Sequence, residues 1–513
     1  MNRADNIGEV VLGGEISLRH LIAVARHGAK VSFDENFKKR VRECRERVEK
    51  FVAENRRIYG VTTGLGENVK RVVLESEAMD YQTKMLLTHC TTVGKTLDEE
   101  ATRAVMFVML ANMGTGYSGA RLSLLERLAD LLNARVTPWA PAHGSVGYLG
   151  VEAHIALVLL GRGKAFYGDS GKLLDGGEAL ALAGLAPVQL SYKEGLCLIS
   201  GGTSATALAA LAEYDALNAL SSADAVASLT LEALIGNTEA FDERVMSVKR
   251  QPHQWRTAEH LRKMLADSAI LSGARKENLQ DALSLRCIPQ AHGAARKTIL
   301  DAKTAIEDEL NSCDDNPIIH PSGEAISACN ADAGFVGIAS DSLCVATCYL
   351  AKISERRTDR MINEHVSGLP AFLTTSAGAN SGFMIVQYSS AGLLGEMRML
   401  AHPATVDAVP TCAMQEDYVS MGYNAALKAR DVVRLLEYVL GNELLTAAQA
   451  LELRERKDLA PSATGRALCE AVRKRAPFMT EDHYVSPDME WGRELIHSGR
   501  VRALAEEMIG LMD

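Results

Sequence analysis

Over the first two hundred residues, apolar positions come in short bursts separated by glycine-rich breaks. Beyond Gly202 they settle into long runs at a 3.6-residue period. The opening sixty residues predict a short strand, a helix over 17–27 with Ser17 as its N-cap, and a strongly charged helix around 38–55. A glycine-rich segment, 59–66, interrupts the pattern. Helical periodicity then resumes over 78–87, 99–112 and 120–132, and a second glycine-rich break at 144–150 precedes the apolar run 153–160. The later runs, 204–235, 290–312, 334–364, 382–400 and 423–453, are broken by short polar loops and predict an elongated helical bundle. Helices of that length exceed what a small globule needs, which implies packing against other subunits. The fold expected is mainly α, with a smaller N-terminal α+β part. Its segments are an N-terminal domain over 1–200, a central bundle over 201–460 and a helical tail over 461–513.

Composition narrows the function classes. With 55 basic and 65 acidic residues the net charge is -10, which argues against a nucleic-acid or anionic-membrane partner. An apolar share of 47% with only 5% aromatics suits a large, alanine- and leucine-rich helical core. Ten cysteines are scattered with no CxxC pair, and Asp5 and Glu9 interrupt the start without an apolar signal region. Reduced thiols in a cytoplasm are therefore expected. Cys344 and Cys348 lie one helical turn apart with no completing ligand, so they read as core. No Asp/His cluster has metal-ligand spacing. The uncharged stretch 366–395 holds Pro370, Asn380 and Gln387 and reads as buried protein, not a lipid-facing span.

Seven local strings go beyond composition. In order they are Ile58-Tyr59-Gly60-Val61-Thr62-Thr63-Gly64, Gly144-Ser145-Val146-Gly147, Gln280-Asp281-Ala282-Leu283-Ser284-Leu285-Arg286, Asp315-Asn316-Pro317, Ser354-Glu355-Arg356-Arg357, Gly382-Phe383-Met384 and Gln415-Glu416-Asp417. Together they resemble the histidine and aromatic amino-acid ammonia-lyase family along almost the whole chain. The resemblance implies a helical fold shared with fumarase-type lyases and a homotetramer whose active sites draw on several subunits.

Residue by residue, Tyr59 matches the family's catalytic base. A phenol with a reference pKa of about 10 serves as a base where backbone N–H donors and a cationic substrate favour phenolate. Arg286 matches the clamp on the substrate carboxylate, a bidentate task suited to guanidinium. Gln280 and Asn330 fit polar positioning roles. His89 and Glu416 match histidine-specific members, since a histidine and a carboxylate can satisfy both imidazole nitrogens. Met384 fits the same pattern.

One departure stands out. The family builds a methylidene-imidazolone electrophile from an Ala-Ser-Gly tripeptide that follows Gly-Ser-Val-Gly. Here Gly147 is followed directly by Tyr148-Leu149-Gly150, so the cyclising residues are missing and no such group is expected. Three neighbours of the missing ring also differ. Ser200 stands for an asparagine, Leu283 for a tyrosine and Ala331 for a phenylalanine. An electrophile that bonds a free amine is of no use with a quaternary nitrogen, and small or apolar groups would make room for methyls. The reading drawn from this is the ergothionase branch of the family, releasing trimethylamine from a histidine betaine such as ergothioneine or hercynine. A thione would want a cation, for which Lys84, Lys193 and Arg398 are candidates. The alternatives are an inactive imidazole-binding homologue and an ordinary histidine ammonia-lyase.

Overall fold

The computed structural model describes residues 4–66, 70, 78–273, 279–454 and 459–512. The architecture is mainly helical, and the periodic segments are the helices. In the N-terminal part these are Leu18–Ala25, Glu35–Ala53, Ala78–His89, Glu99–Gly114, Leu122–Asn133 and Gly150–Leu159. The long helices are Thr203–Leu234, Ile288–Leu310, Gly334–Ile362, Met384–Leu400 and Gly422–Leu453. Local chemistry sets their starts. The Asp34 carboxylate accepts from Phe37 N–H at 2.7 Å, and Asp98 accepts from Ala101 N–H at 2.8 Å. Each satisfies a donor that the first helical turn leaves unpaired.

Strands are few and short. Glu9–Leu12 pairs in parallel with Lys30–Phe33, and Val93–Thr96 pairs antiparallel with Pro141–His143. Val136–Pro138, Lys164–Tyr167 and Leu173–Asp175 form an antiparallel three-stranded sheet, and Ile318–His320 closes a hairpin with Glu324–Ile326.

The chain divides into two compact units, each assembled from separated segments. The first comprises 1–214, 303–341 and 403–427; the second comprises 215–302, 342–402 and 428–513. The first carries the strands. The second holds a buried network of charges. Asp224 accepts from Nδ1 of His260 and of His292, both at 2.8 Å, and from Arg296 at 2.8 Å. Arg357 grips Glu443 through two bonds of 2.6 and 2.8 Å, and Glu443 also accepts from Thr230 at 2.7 Å. Burial alone would raise the Asp224 carboxyl, but Arg296 and the two histidines hold it far below the usual range. His292 is held below its ordinary value, first by burial. Its Nε2 faces an Arg357 N–H at 3.4 Å, which suits a neutral ring protonated at Nδ1.

Two stretches, 194–234 and 334–362, are long and apolar enough to cross a membrane by length and composition alone, and the most apolar window of the first is fully buried in the protein. The expected burial of 366–395 does not hold throughout. Residues 375–379 are exposed, as are Ile385 and Tyr388. Lack of charge in a sequence says nothing about what covers a surface.

Candidate active site

Tyr59 sits on a turn whose conformation is set by small residues and threonines. Gly60 has φ +64°, and a Cβ there would stand 2.3 Å from Leu196 Cδ2, so both backbone and space demand glycine. Thr62 Oγ1 accepts from Ile58 N–H at 2.9 Å and donates to the Arg56 carbonyl at 2.8 Å, pinning the loop from inside. At its far end Gly66 N–H donates to the Tyr59 phenolic oxygen at 3.0 Å. Burial raises the Tyr59 phenol above its ordinary value. The Gly66 donor works against that, while Glu416 and Cys412 add to the rise. The backbone donor anticipated from sequence is thus present but outweighed, and a cationic substrate would supply the remaining pull towards phenolate.

The turn opens onto a cavity of ≈ 760 Å³ that also takes in His89, Tyr148, Ser200, Ala331 and Glu416, all from the first unit. His89 ends the helix Ala78–His89, and its Nδ1 lies 2.7 Å from the Met85 carbonyl. A carbonyl only accepts, so Nδ1 carries the proton and Nε2 is left as an acceptor. Glu416 lies at the base of a tight excursion in which Thr411 N–H donates to its carbonyl at 2.7 Å. Its carboxylate faces Gly66: a Cβ built there would lie 3.8 Å from Oε1 and 2.2 Å from Cys412 Sγ. An acceptor nitrogen and a carboxylate lining one cavity are complementary to a ring that presents N–H groups.

Ser200 is buried and its Oγ accepts from Asn316 N–H at 3.1 Å, while Ala331 lines the cavity beside it. Asn330 does not line the cavity; its side-chain amide donates to the Cys313 carbonyl at 3.2 Å. Gln280, Leu283, Arg286 and Met384 belong to the second unit and are not among the cavity's lining residues. Leu283 is 61% exposed, and Arg286 Nε donates to the Asp281 carbonyl at 3.0 Å. Of the three cations considered, Lys193 is fully buried against Asp315 at 2.7 Å. Lys84 borders the cavity and pairs with Asp80, and Arg398 lies in the second unit.

Sequence reading missed Gln82. It is fully buried, accepts from Gly195 N–H at 2.9 Å and donates to the Gly60 carbonyl at 3.4 Å, tying the Tyr59 turn to two helices. A glutamine within the periodic run 78–87 was the available signal. Tyr148 also lines the cavity, on the loop that follows Gly147. Its phenol is pushed up to about 12, first by burial, then by Cys329 and Glu416, so it stays protonated as a donor in the cavity.

The residues present do not fit a methylidene-imidazolone. That planar ring would contain the N, Cα and carbonyl C of its central serine, which requires φ and ψ of that serine both near zero. The loop 144–150 has no Ser-Gly pair. Ser200, the cavity serine followed by glycine, has φ -79° and ψ 137°, which turns the next nitrogen away from closure. Instead the loop closes on a γ-turn. Gly150 N–H donates to the Tyr148 carbonyl at 3.2 Å across Leu149, which has φ 80° and ψ -59°. Such a backbone is strained for a leucine. It is how residues 144–149 connect Pro141–His143 to Gly150–Leu159.

Comparison with known proteins follows the same lines. Residues 16–474 match the family model described as aromatic amino acid lyase. Histidine ammonia-lyase 1 of Fusobacterium nucleatum subsp. nucleatum is 41% identical over 512 residues, covering 98% of this chain and 99% of that protein. The crystal structure of histidine ammonia-lyase from Trypanosoma cruzi superposes with a TM-score of 0.92 at 31% identity, covering 98% of this chain and 96% of that one. Ergothionase from Treponema denticola superposes with a TM-score of 0.88 at 26% identity, covering 96% and 99%. These findings overturn the expected release of trimethylamine from a histidine betaine, because the full-length relatives near 40% identity are named histidine ammonia-lyases. A primary α-ammonium, like a quaternary nitrogen, has no lone pair and leaves as a neutral amine, so a missing electrophile does not require three methyls.

Proposed function

Because the chain belongs to the aromatic amino acid lyase family, we propose that it is a carbon–nitrogen lyase of the histidine ammonia-lyase type, converting histidine to urocanate and ammonia. The observation that carries this reading is the meeting of Tyr59, His89 and Glu416 around one cavity. The substrate ring binds as imidazolium: His89 Nε2 accepts from one ring N–H and the Glu416 carboxylate accepts from the other. This leaves the substrate's β-carbon to Tyr59, which removes the proton as phenolate. A phenylalanine ring would leave both polar groups unsatisfied, at a cost of about 1–3 kcal/mol each. That difference selects imidazole.

In this reading the carboxylate clamp is Arg286, with Gln280, Asn330 and Met384 as further positioning residues and Leu283 shaping the pocket. In a homotetramer another copy would supply Gln280, Leu283, Arg286 and Met384, while Asn330 stands between the cavity residues Cys329 and Ala331 of the same chain. The test is incubation of the purified protein with L-histidine, L-phenylalanine and L-tyrosine. Urocanate and ammonia in equal amounts from histidine alone are expected. No urocanate, together with no saturable histidine binding by calorimetry, overturns the assignment.

A further inference from the structure

The loop at 144–150 points to a chemistry within the site just proposed. We propose that this chain eliminates ammonia without a self-made electrophile, using the substrate's own α-ammonium as the leaving group and Tyr148 in place of the residues that would have cyclised. The inference rests on the ammonia-lyase reading above for its substrate.

Three observations carry it. First, Gly147 passes directly to Tyr148, Leu149 and Gly150, so no serine stands where a ring would be made. Second, the short connection is closed by the γ-turn at Leu149, whose carbonyl then accepts from Ala153 N–H at 3.0 Å in the first turn of Gly150–Leu159. The turn is thereby locked into the helix start and has no slack for ring closure. Space is tight there too, since a Cβ on Gly150 would lie 2.7 Å from Thr92 Cγ2. Third, Ser200 is held extended, and its hydroxyl accepts from Asn316 N–H. The second cavity serine, Ser145, precedes Val146 and donates to the Tyr148 carbonyl at 3.2 Å.

The elimination balances without a further group. The Tyr59 phenolate oxygen bonds the β-proton, and the C–H electron pair becomes the Cα–Cβ double bond. The Cα–N bond breaks with its electrons on nitrogen, so the ammonium departs as neutral ammonia. The new phenol then yields its proton to ammonia or water. No electrons leave the system and no co-reactant is consumed. The imidazole, held between His89 and Glu416, takes up charge developing at the β-carbon. The Tyr148 phenol stays protonated and hydrogen-bonds substrate as a positioning residue.

Intact-mass measurement, together with histidine turnover before and after borohydride treatment and in the presence of cyanide, tests this. The expected result is the encoded mass, with urocanate formation unaffected by either reagent. A mass lower by two waters, or turnover abolished by borohydride, overturns the proposal. In that event Ser200→Ala restoring the encoded mass would place the ring at Ser200. An encoded mass with histidine binding but no urocanate overturns electrophile-free elimination, while the ligand assignment stands. An encoded mass with neither binding nor turnover overturns the ammonia-lyase reading itself, and the elimination proposal falls with it. For Tyr148, phenylalanine substitution is expected to raise KM several-fold with kcat within about two-fold. An unchanged KM overturns its positioning role.

Discussion

The phenolic oxygen of Tyr59 and the backbone N–H of Gly66 are joined by a 3.0 Å hydrogen bond that closes the glycine-rich turn on itself. The bond fixes the phenol in the cavity lining and partly offsets the burial that disfavours its charged form. Replacing Tyr59 by phenylalanine keeps the ring's packing and removes the base. A fall in kcat of about 10²–10⁴-fold is expected, with histidine affinity nearly unchanged by calorimetry.

The Tyr59 phenol lies above its ordinary value, with burial the largest cause and the Glu416 charge among the others. Only the phenolate abstracts a proton and only the α-ammonium leaves as neutral ammonia, so kcat/KM should pass through an alkaline maximum whose high-pH limb follows the Tyr59 phenol. Glu416→Gln removes a negative charge that opposes phenolate. The alkaline limb should therefore move to lower pH while KM for histidine rises. A limb that stays put or moves upward would show that Tyr59 is not the titrating group.

The tautomer of His89 is imposed by its own helix, because the Met85 carbonyl claims the Nδ1 proton, and Nε2 is the nitrogen proposed to meet the substrate. His89→Ala should weaken histidine binding by about 1–3 kcal/mol, the cost of an unsatisfied polar group. His89→Asn, which retains an acceptor, should recover part of it. Substrate titrations of the two variants give the comparison directly.

Leu149 holds a positive φ of 80° that glycine adopts without strain. Leu149→Gly relieves about 1–3 kcal/mol of backbone strain, against about 0.5–1 kcal/mol from the freer unfolded chain and about 1 kcal/mol from the lost half-buried side chain. The terms nearly cancel, so Tm measured by calorimetry should stay within a few degrees of the parent, and a fall as large as a full leucine deletion brings would show that the turn is not strained.

Asp224 is the hub of the second unit's buried charges, with His260, His292 and Arg296 all donating to it. Asp224→Ala leaves those donors buried without their acceptor and should cost about 3–5 kcal/mol in denaturant titrations. Its carboxyl is depressed in the folded state, so its contribution is present above the unfolded carboxylate range and lost as pH falls through the depressed value. Acid unfolding of the parent should accordingly be steeper than that of the variant.

The helices were legible because a 3.6-residue period is a local property: each turn reports its own buried face. Thus Thr203–Leu234 and Gly422–Leu453 follow from sequence to within a residue or so at each end. The Tyr59 turn, the His89 and Glu416 pair and the missing cyclising residues were legible as strings, since motif and spacing survive in one dimension. The leaving group was not. It was inferred from a deletion that concerns the electrophile and leaves the substrate's nitrogen open.

By itself, then, the chain's order of residues determined the helical class, the glycine-rich turn that carries Tyr59, the positions of His89 and Glu416 along the chain, and the absence of a cyclising serine after Gly147. Only the tertiary structure decided the rest. It brought Tyr59, His89, Ser200 and Glu416 around one cavity, gathered His260, His292 and Arg296 on Asp224, and closed 144–150 with a strained turn at Leu149. These are contacts between stretches far apart in the chain, or a backbone conformation against leucine's own preference. Neither leaves a periodic trace, because each is stabilised by groups that come close only once the chain has folded.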